Sequence, residues 1–495
     1  MRILSKSKLL AYRQCPKRLW LELHLPKVSA TSAQAEAQFA IGNAVGKLAQ
    51  SLYAPKGNGV LFAPEKEGYD AVITRTAELL ATPRPLFEAG FAAGGARAYA
   101  DILLPVRRKG GLAWRMVEVK SSAEVKDTYR DDVAIQAFVA RGAGLPLESI
   151  ALAHIDSQWV YPGGGDYQGL LKEVDLTEEA FGREDEVKEW IAGAQAIDNK
   201  RKEPKIDIGS QCEEPYPCRF LDYCQSGHPV AEYPVAWLPK KGKSLKALIE
   251  EQCLTDMREV PDDRLNAQQH RVKTHTLAGT VHFDAAAAKA ALAPHKPPAY
   301  FLDFETINLA IPIWKGVRPF QQSPFQFSLH RLSRTGKLGH QDFLDLSGKD
   351  PSRACAEALI AACGERGPVF AYSAGFESRV IGDMAARFPR LARPLLAIQS
   401  RLVDLLPIAR DHYYHPDQQG SWSIKAVLPT LSDLDYGRLD EVQDGTKAME
   451  VYEKAITRGT TADEKAKIDR QLRAYCALDT EAMIHVWRHF SGQAG

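Results

Sequence analysis

The chain has 495 residues, with 63 Lys+Arg against 62 Asp+Glu, 45% hydrophobic and 25% charged positions. This near-average composition excludes a mostly disordered, collagen-like or coiled-coil protein, and the length calls for about three domains. No run of about 18 apolar residues occurs, and Met1-Arg-Ile-Leu-Ser-Lys lacks an apolar signal core, so the expectation is a cytoplasmic protein with no membrane partner. The net charge of +1 argues neither for nor against nucleic acid.

Residues 1–229 read as an α/β domain. An opening helix is predicted over 5–23, with Ser5 as N-cap and Leu9, Leu10, Tyr12, Leu19, Trp20 and Leu23 as its apolar stripe. A second helix follows over 33–53, where Gly42 and Gly46 predict close packing against a neighbour. Strands are expected at 86–91, 98–105 and 112–120, then a helix at 132–141 and a strand at 150–160. Arg107, Arg108 and Lys109 mark a hairpin tip. Residues 230–298 read as a polar helical connector with a basic start (Lys240, Lys241, Lys243, Lys246), closed by the proline-rich stretch 294–298. A second α/β domain spans 299–495. Its strands are predicted at 299–304, 325–332, 341–346, 369–372 and 401–404, and its helices at 354–363, 376–387, 423–428 and 465–490.

Structural disulfides are not expected among eight cysteines of a large cytosolic chain. Cys253, Cys355, Cys363 and Cys476 stand singly and read as small core hydrophobes. Cys212, Cys218 and Cys224 are spaced C-x5-C-x5-C, and Cys15 lies far upstream beside Pro16.

The first chemical constellation is Asp101, Glu118 and Lys120. Glu118 and Lys120 are two apart on an apolar strand, so both side chains leave one face. Two carboxylates and a lysine there can hold a divalent metal and polarise a phosphodiester. The plainer reading is a solvated ion pair on an edge strand. With Leu9-Leu-Ala-Tyr-Arg-Gln-Cys15-Pro-Lys-Arg-Leu-Trp20, Gln136 and the late cysteines, residues 3–227 resemble RecB-like nucleases of the PD-(D/E)XK superfamily. The nearest likeness is to the iron–sulphur branch, seen in CRISPR-adaptation nucleases and the AddB subunit of end-resection enzymes. That resemblance implies Asp101 and Glu118 as metal ligands, Lys120 and Gln136 as catalytic partners, and Cys15, Cys212, Cys218 and Cys224 as ligands of a [4Fe–4S] cluster. Zinc is the rival occupant, although no C-x2–4-C pair is present. Two features depart from the family. The first gap between late cysteines is five residues instead of two, and Gly46 stands where a metal-binding histidine is often found, leaving Glu88 as the acid available to replace it.

The second constellation is Asp303, Glu305, Glu377, Tyr475 and Asp479. Asp303 and Glu305 sit i, i+2 on an apolar strand, while Tyr475 and Asp479 are one helical turn apart. Several acids from separate elements can share a buried site only with cations, and two divalent metals would clamp a phosphodiester. This set resembles the DnaQ-like (DEDD) 3′–5′ exonucleases, which have an RNase H-like fold. The resemblance covers residues 299–487 and implies Asp303, Glu305, Glu377 and Asp479 as ligands of Mg²⁺ or Mn²⁺. Tyr475 then marks the tyrosine subtype, Glu377 replaces the usual aspartate, and Asp404 has a supporting role. Ser421-Trp-Ser-Ile-Lys425 resembles a helix start of that family.

Residues 1–27 carry Arg2, Lys6, Lys8, Arg13, Lys17, Arg18 and Lys27 against Glu22, interleaved with Tyr12 and Trp20, a pattern suited to tracking phosphates or to an ordinary solvated helix face. The leading expectation is a metal-dependent nuclease with two sites acting on DNA ends or single strands. The alternatives are a nucleic-acid-binding scaffold with one or both sites inactive, and an RNA exonuclease.

Overall fold

In the computed structural model, which describes residues 2–30, 33–109, 111–227 and 231–493, the chain forms two units. One is Met1–Pro229 with Leu309–Phe320, the other Val230–Asn308 with Gln321–Gly495. The protein is thus mixed α/β and multidomain, and no helix among the described residues is long and apolar enough to cross a membrane.

Alternating apolar residues build the first sheet from β1 (Leu4–Ser5), β2 (Val60–Leu61), β3 (Leu86–Ala93), β4 (Ala96–Arg108), β5 (Gly111–Lys120), β6 (Leu147–Ile155) and β7 (Leu171–Asp175). The order is β2-β3-β4-β5-β6-β7, with β1 alongside β4. β3, β4 and β5 form an antiparallel meander, and the helix Asp127–Gly142 crosses over so that β6 lies parallel to β5. Leu103, Met116 and Leu152 face that helix and the first two helices, whereas Ile102, Val117 and Ala153 face Ala49 of Ala33–Tyr53.

The opening helix is in fact two, Lys6–Gln14 and Pro16–His24, separated at Cys15, whose φ of −161° and ψ of 120° are extended. Pro16 causes the break. Its ring disfavours helical geometry at the preceding residue, and it starts the next helix where no N–H is required. Ser5 does not cap the helix; its hydroxyl bonds that of Ser7 at 2.9 Å. Gly42 and Gly46 do not mark a close approach, since a Cβ at either would meet nothing within 4 Å. That helix instead buries Val45 and Ala49.

The strand expected over 150–160 ends at Ile155, and the chain returns through a glycine-rich loop into β7. Residues 309–320 pack on that loop, with Tyr161 N donating to Val317 O at 3.0 Å and Gly316 N to Tyr161 O at 2.8 Å.

Most cations of the basic opening are ion-paired. Arg2 pairs with Asp198, Lys8 and Arg18 with Glu22, Arg13 with Asp131, and Lys17 with Glu203. Trp20 is buried and its indole N–H donates to Lys200 O. Partners remote in sequence offset the local excess of charge.

The second unit holds β8 (His282–Phe283), β9 (Ala299–Ile307), β10 (Ser323–Leu332), β11 (Leu338–Leu344), β12 (Val369–Ala371), β13 (Leu402–Asp404) and β14 (Tyr413–Tyr414). The main sheet runs β11-β10-β9-β12-β13. Its first three strands are antiparallel, and β9, β12 and β13 are parallel. Tyr300, Leu302 and Phe304 of β9 pack on the helices Ser352–Ala362 and Gly375–Arg387. Phe301, on the opposite face, meets Trp487 of the long helix Ala462–Ser491.

Residues 230–298 are not a separate connector. Leu245, Val272 and Leu292, from the helices Lys243–Glu251, Ala267–Ala278 and Ala285–Leu292, share one core with Ala299 and Phe301. The proline-rich stretch 294–298 therefore lies inside this unit, between the helix Ala285–Leu292 and β9. Cys355 and Cys363 are core residues as expected, but Cys253 is exposed.

Candidate functional site

In the first sheet the register places Glu88 opposite Asp101 and Asp101 opposite Glu118, so three acids form a row across β3, β4 and β5. Glu88 adopts φ +58°, and the inward alternation of both β3 and β4 shifts at this row. The β4–β5 pairing stops just before Asp101, whose Oδ2 accepts the Val119 N–H at 2.8 Å.

Glu118 is buried and closely held. Its Oε1 accepts from Lys120 Nζ at 2.6 Å and Lys6 Nζ at 3.0 Å, and its Oε2 accepts from Gln136 Nε2 at 2.6 Å. Asp132 receives the same three donors: Lys120 at 2.6 Å, Lys6 at 2.8 Å and Gln136 at 3.0 Å. Burial works against both lysine charges, but Asp132 and Glu118 overcome it and hold the two ammonium groups above their ordinary range. Burial also opposes ionisation of Asp132, yet Lys120 and Lys6 hold its carboxyl below the usual range. Asp101 and Glu88 behave oppositely, raised by burial and by the charge of Glu118. Asp101, Glu118, Lys120 and Gln136 are thus brought together as the sequence predicts. Lys6 and Asp132 were missed; Asp132, one turn before Gln136, carried a legible signal, and Lys6 carried none.

Cys15, Cys212, Cys218 and Cys224 line one narrow cavity with Leu21, Phe220 and Ile208. The helix break at Pro16 frees Cys15 to face it, and Cys218 N donates to Cys212 O at 2.8 Å. Burial pushes the Cys218 and Cys224 thiols up, while Arg18 opposes this at Cys218 and Lys17 at Cys224. No three of the four sulfurs lie within 4.8 Å of one another.

The second acid set forms at the C-terminal ends of the parallel strands. β9 presents Asp303 and Glu305 on the face covered by Ala462–Ser491, and that helix brings Tyr475, Cys476 and Asp479. One ligand atom each from Asp303, Glu305 and Cys476 lie within 4.8 Å of one another. The Cys476 thiol donates to Asp303 Oδ2 at 3.6 Å, so this cysteine is part of the site and not a plain core hydrophobe. Glu305 and Asp479 are each 7% exposed, while Asp303 keeps a solvent-facing edge. Burial, then the Asp479 charge, pushes Asp303 and Glu305 well above the usual carboxylate range. Asp479 itself is pushed up to about 6, chiefly by burial, despite the Tyr436 hydroxyl donating to its Oδ1 at 2.6 Å and the nearby Lys425.

Glu377, in the first turn of Gly375–Arg387, is 2% exposed, and its Oε2 has no hydrogen-bond partner. Burial, with Asp404 adding like charge, pushes its carboxyl up to about 8. Asp404, expected in a supporting role, is held by backbone donors. Its Oδ1 accepts from Ser373 N and Leu406 N, both at 2.9 Å, which fixes the turn before Glu377 and starts the next helix. Tyr436 and Lys425 complete the surroundings, the Lys425 ammonium standing 5.2 Å from the ring centres of both Tyr436 and Tyr475. Tyr436 lies in a 3₁₀ turn with no periodic signal, so sequence reasoning missed it.

Such an arrangement, with four carboxylates, one lysine and two phenols, suits divalent cations and a positioned water. No curated protein matches the chain. Residues 300–423, which include Asp303, Glu305, Glu377 and Asp404 but stop before Lys425, Tyr475 and Asp479, match a family described as "Domain of unknown function (DUF2779)".

Proposed function

We propose that this chain is a metal-dependent nuclease with two phosphodiesterase sites, the second a 3′–5′ exonuclease acting on DNA ends or single strands. In this reading the units take PD-(D/E)XK and RNase H-like folds. The observation that carries it is Glu377: a buried carboxylate whose Oε2 has no hydrogen-bond partner, beside Asp303, Glu305 and Asp479, is self-repelling unless cations enter. Asp303, Glu305, Glu377 and Asp479 would hold Mg²⁺ or Mn²⁺, which would supply an activated water and stabilise the leaving oxygen. Tyr475, one turn from Asp479, positions that water, while Tyr436 fixes the Asp479 carboxylate. Lys425 limits the negative charge and faces the incoming phosphate.

Cys15, Cys212, Cys218 and Cys224 would hold a [4Fe–4S] cluster, tying the first helices to the late cysteine loop. The C-x5-C-x5-C spacing lacks the C-x2–4-C pair that zinc sites usually use, which favours the cluster over zinc.

The test is digestion of 3′-labelled single-stranded DNA and RNA with Mg²⁺ or Mn²⁺. Release of labelled mononucleotides is expected, and Asp303→Asn should abolish it. Hydrolysis of RNA alone would reassign the substrate; no hydrolysis of either polymer would sink the proposal. A second reading, in which the first unit's acid set only holds the fold, is favoured by the closed pairing of Glu118 and Asp132 with Lys6 and Lys120. Asp101→Asn leaving every cleavage product unchanged would support it.

A further inference from the structure

The second unit contains a cleft of about 640 Å³ with no part in the acid site. It sits by Leu332, which pairs with Ala299 at the start of β9, while the acids lie further along that strand. On the long helix, its residue Trp487 is eight positions beyond Asp479, a rise of about 12 Å. The chemistry of the two places is opposite. Arg334, His485, Trp487, Arg488 and His489 line the cleft, and no acid does.

Neither arginine has an ion-pair partner among the described residues. The Trp487 indole nitrogen and His489 Nε2 are both buried without a hydrogen-bond partner. Cations in a last helical turn commonly answer the helix dipole, which would account for Arg488 and His489 alone. It does not account for Arg334, which comes from the β10–β11 turn, nor for two unanswered ring nitrogens. Two carbonyls at this helix end are already met, Gln493 N donating to Arg488 O at 2.9 Å and Gly492 N to His489 O at 3.3 Å.

We propose that this cleft binds a phosphate monoester of nucleotide size. Two guanidinium groups in a lining without acids call for an anion, guanidinium forks match phosphate oxygens, and Ser333, His485 and Gln493 add neutral polar contacts. The volume far exceeds a bare ion and suits a small organic ligand, whose uncharged part would lie on the apolar wall of Pro297 and Leu431.

Calorimetry on the full chain in EDTA tests this without depending on hydrolysis, because metal is withheld. The probes are deoxyadenosine monophosphate, adenosine, inorganic phosphate and a decamer with or without a 5′-phosphate. Saturable binding of the monophosphate is expected, with adenosine at least tenfold weaker. Arg488→Gln should weaken the monophosphate at least tenfold. Arg334→Gln, at an exposed position that folding does not need, should do the same. Tighter binding of the 5′-phosphorylated decamer than of its unphosphorylated form would place the monoester on a strand end and still support the site. No saturation by any phosphorylated probe, equal affinity for adenosine, or unchanged affinity in both arginine variants would overturn it.

Discussion

Replacing Glu377 by glutamine removes a buried carboxylate whose Oε2 has no hydrogen-bond partner, so its effect on the metal-free protein should depend on pH. Glu377 titrates at about 8 in the folded chain against an ordinary 4.5. At pH 4 both folded and unfolded chains keep the proton, and the group is neutral to stability. Between 4.5 and 8 the unfolded chain releases its proton while the folded one holds it, so stability falls as pH rises. The total is on the order of 5 kcal/mol, at about 1.4 kcal/mol per tenfold difference in proton affinity. Glutamine escapes that loss, and its carboxamide is buried with no better pairing than the protonated carboxyl it replaces, so little separates the two at low pH. Glu377→Gln should therefore lie within about 1 kcal/mol of wild type at pH 4.5 and be more stable by roughly 3–5 kcal/mol at pH 8.5. At roughly 2–4 °C per kcal/mol for a domain of this size, the gain at high pH is about 6–20 °C in Tm. Urea unfolding and thermal melts in EDTA at the two pH values read this directly. Adding Mn²⁺ at pH 8.5 should raise the wild-type Tm more than the variant's. A variant destabilised by the same margin at both pH values would refute the reasoning, because the carboxylate would then have a partner that the geometry does not contain.

Tyr475→Phe should slow release of 3′ nucleotides by roughly 10–10³-fold, the range of a positioning group, and Tyr436→Phe by less, with pH–rate profiles separating the two. Lys6→Met leaves Glu118 and Asp132 sharing one lysine and should destabilise the first unit by about 3–5 kcal/mol, read by hydrogen exchange in the Asp127–Gly142 helix; unchanged protection would show that Lys120 alone suffices. Cys218→Ser should bleach the brown colour expected of anaerobically purified protein and loosen Pro16–His24, whereas a colourless wild type with stoichiometric zinc would replace the cluster by zinc.

Local periodicity was readable from the sequence because backbone geometry sets it within a few residues. The i, i+2 spacing of Asp303 and Glu305 put both on one face of β9, and the i, i+4 spacing of Tyr475 and Asp479 put both on one helix face, as found. Pro16 carries an equally legible signal, a helix start whose preceding residue, Cys15, is extended. What no local pattern contained was which distant groups meet. Lys6 reaches Glu118 across 112 positions, and Tyr436 reaches Asp479 across 43 from an aperiodic turn. The basic opening looked free because its acidic partners lie far along the chain, and 230–298 looked like a connector because its apolar residues find their core only against β9. A charge or an apolar side chain is assigned its partner by sheet register and helix packing, so the candidate acids were visible in the sequence while their neutralisation, or lack of it at Glu377, was decided by the tertiary structure.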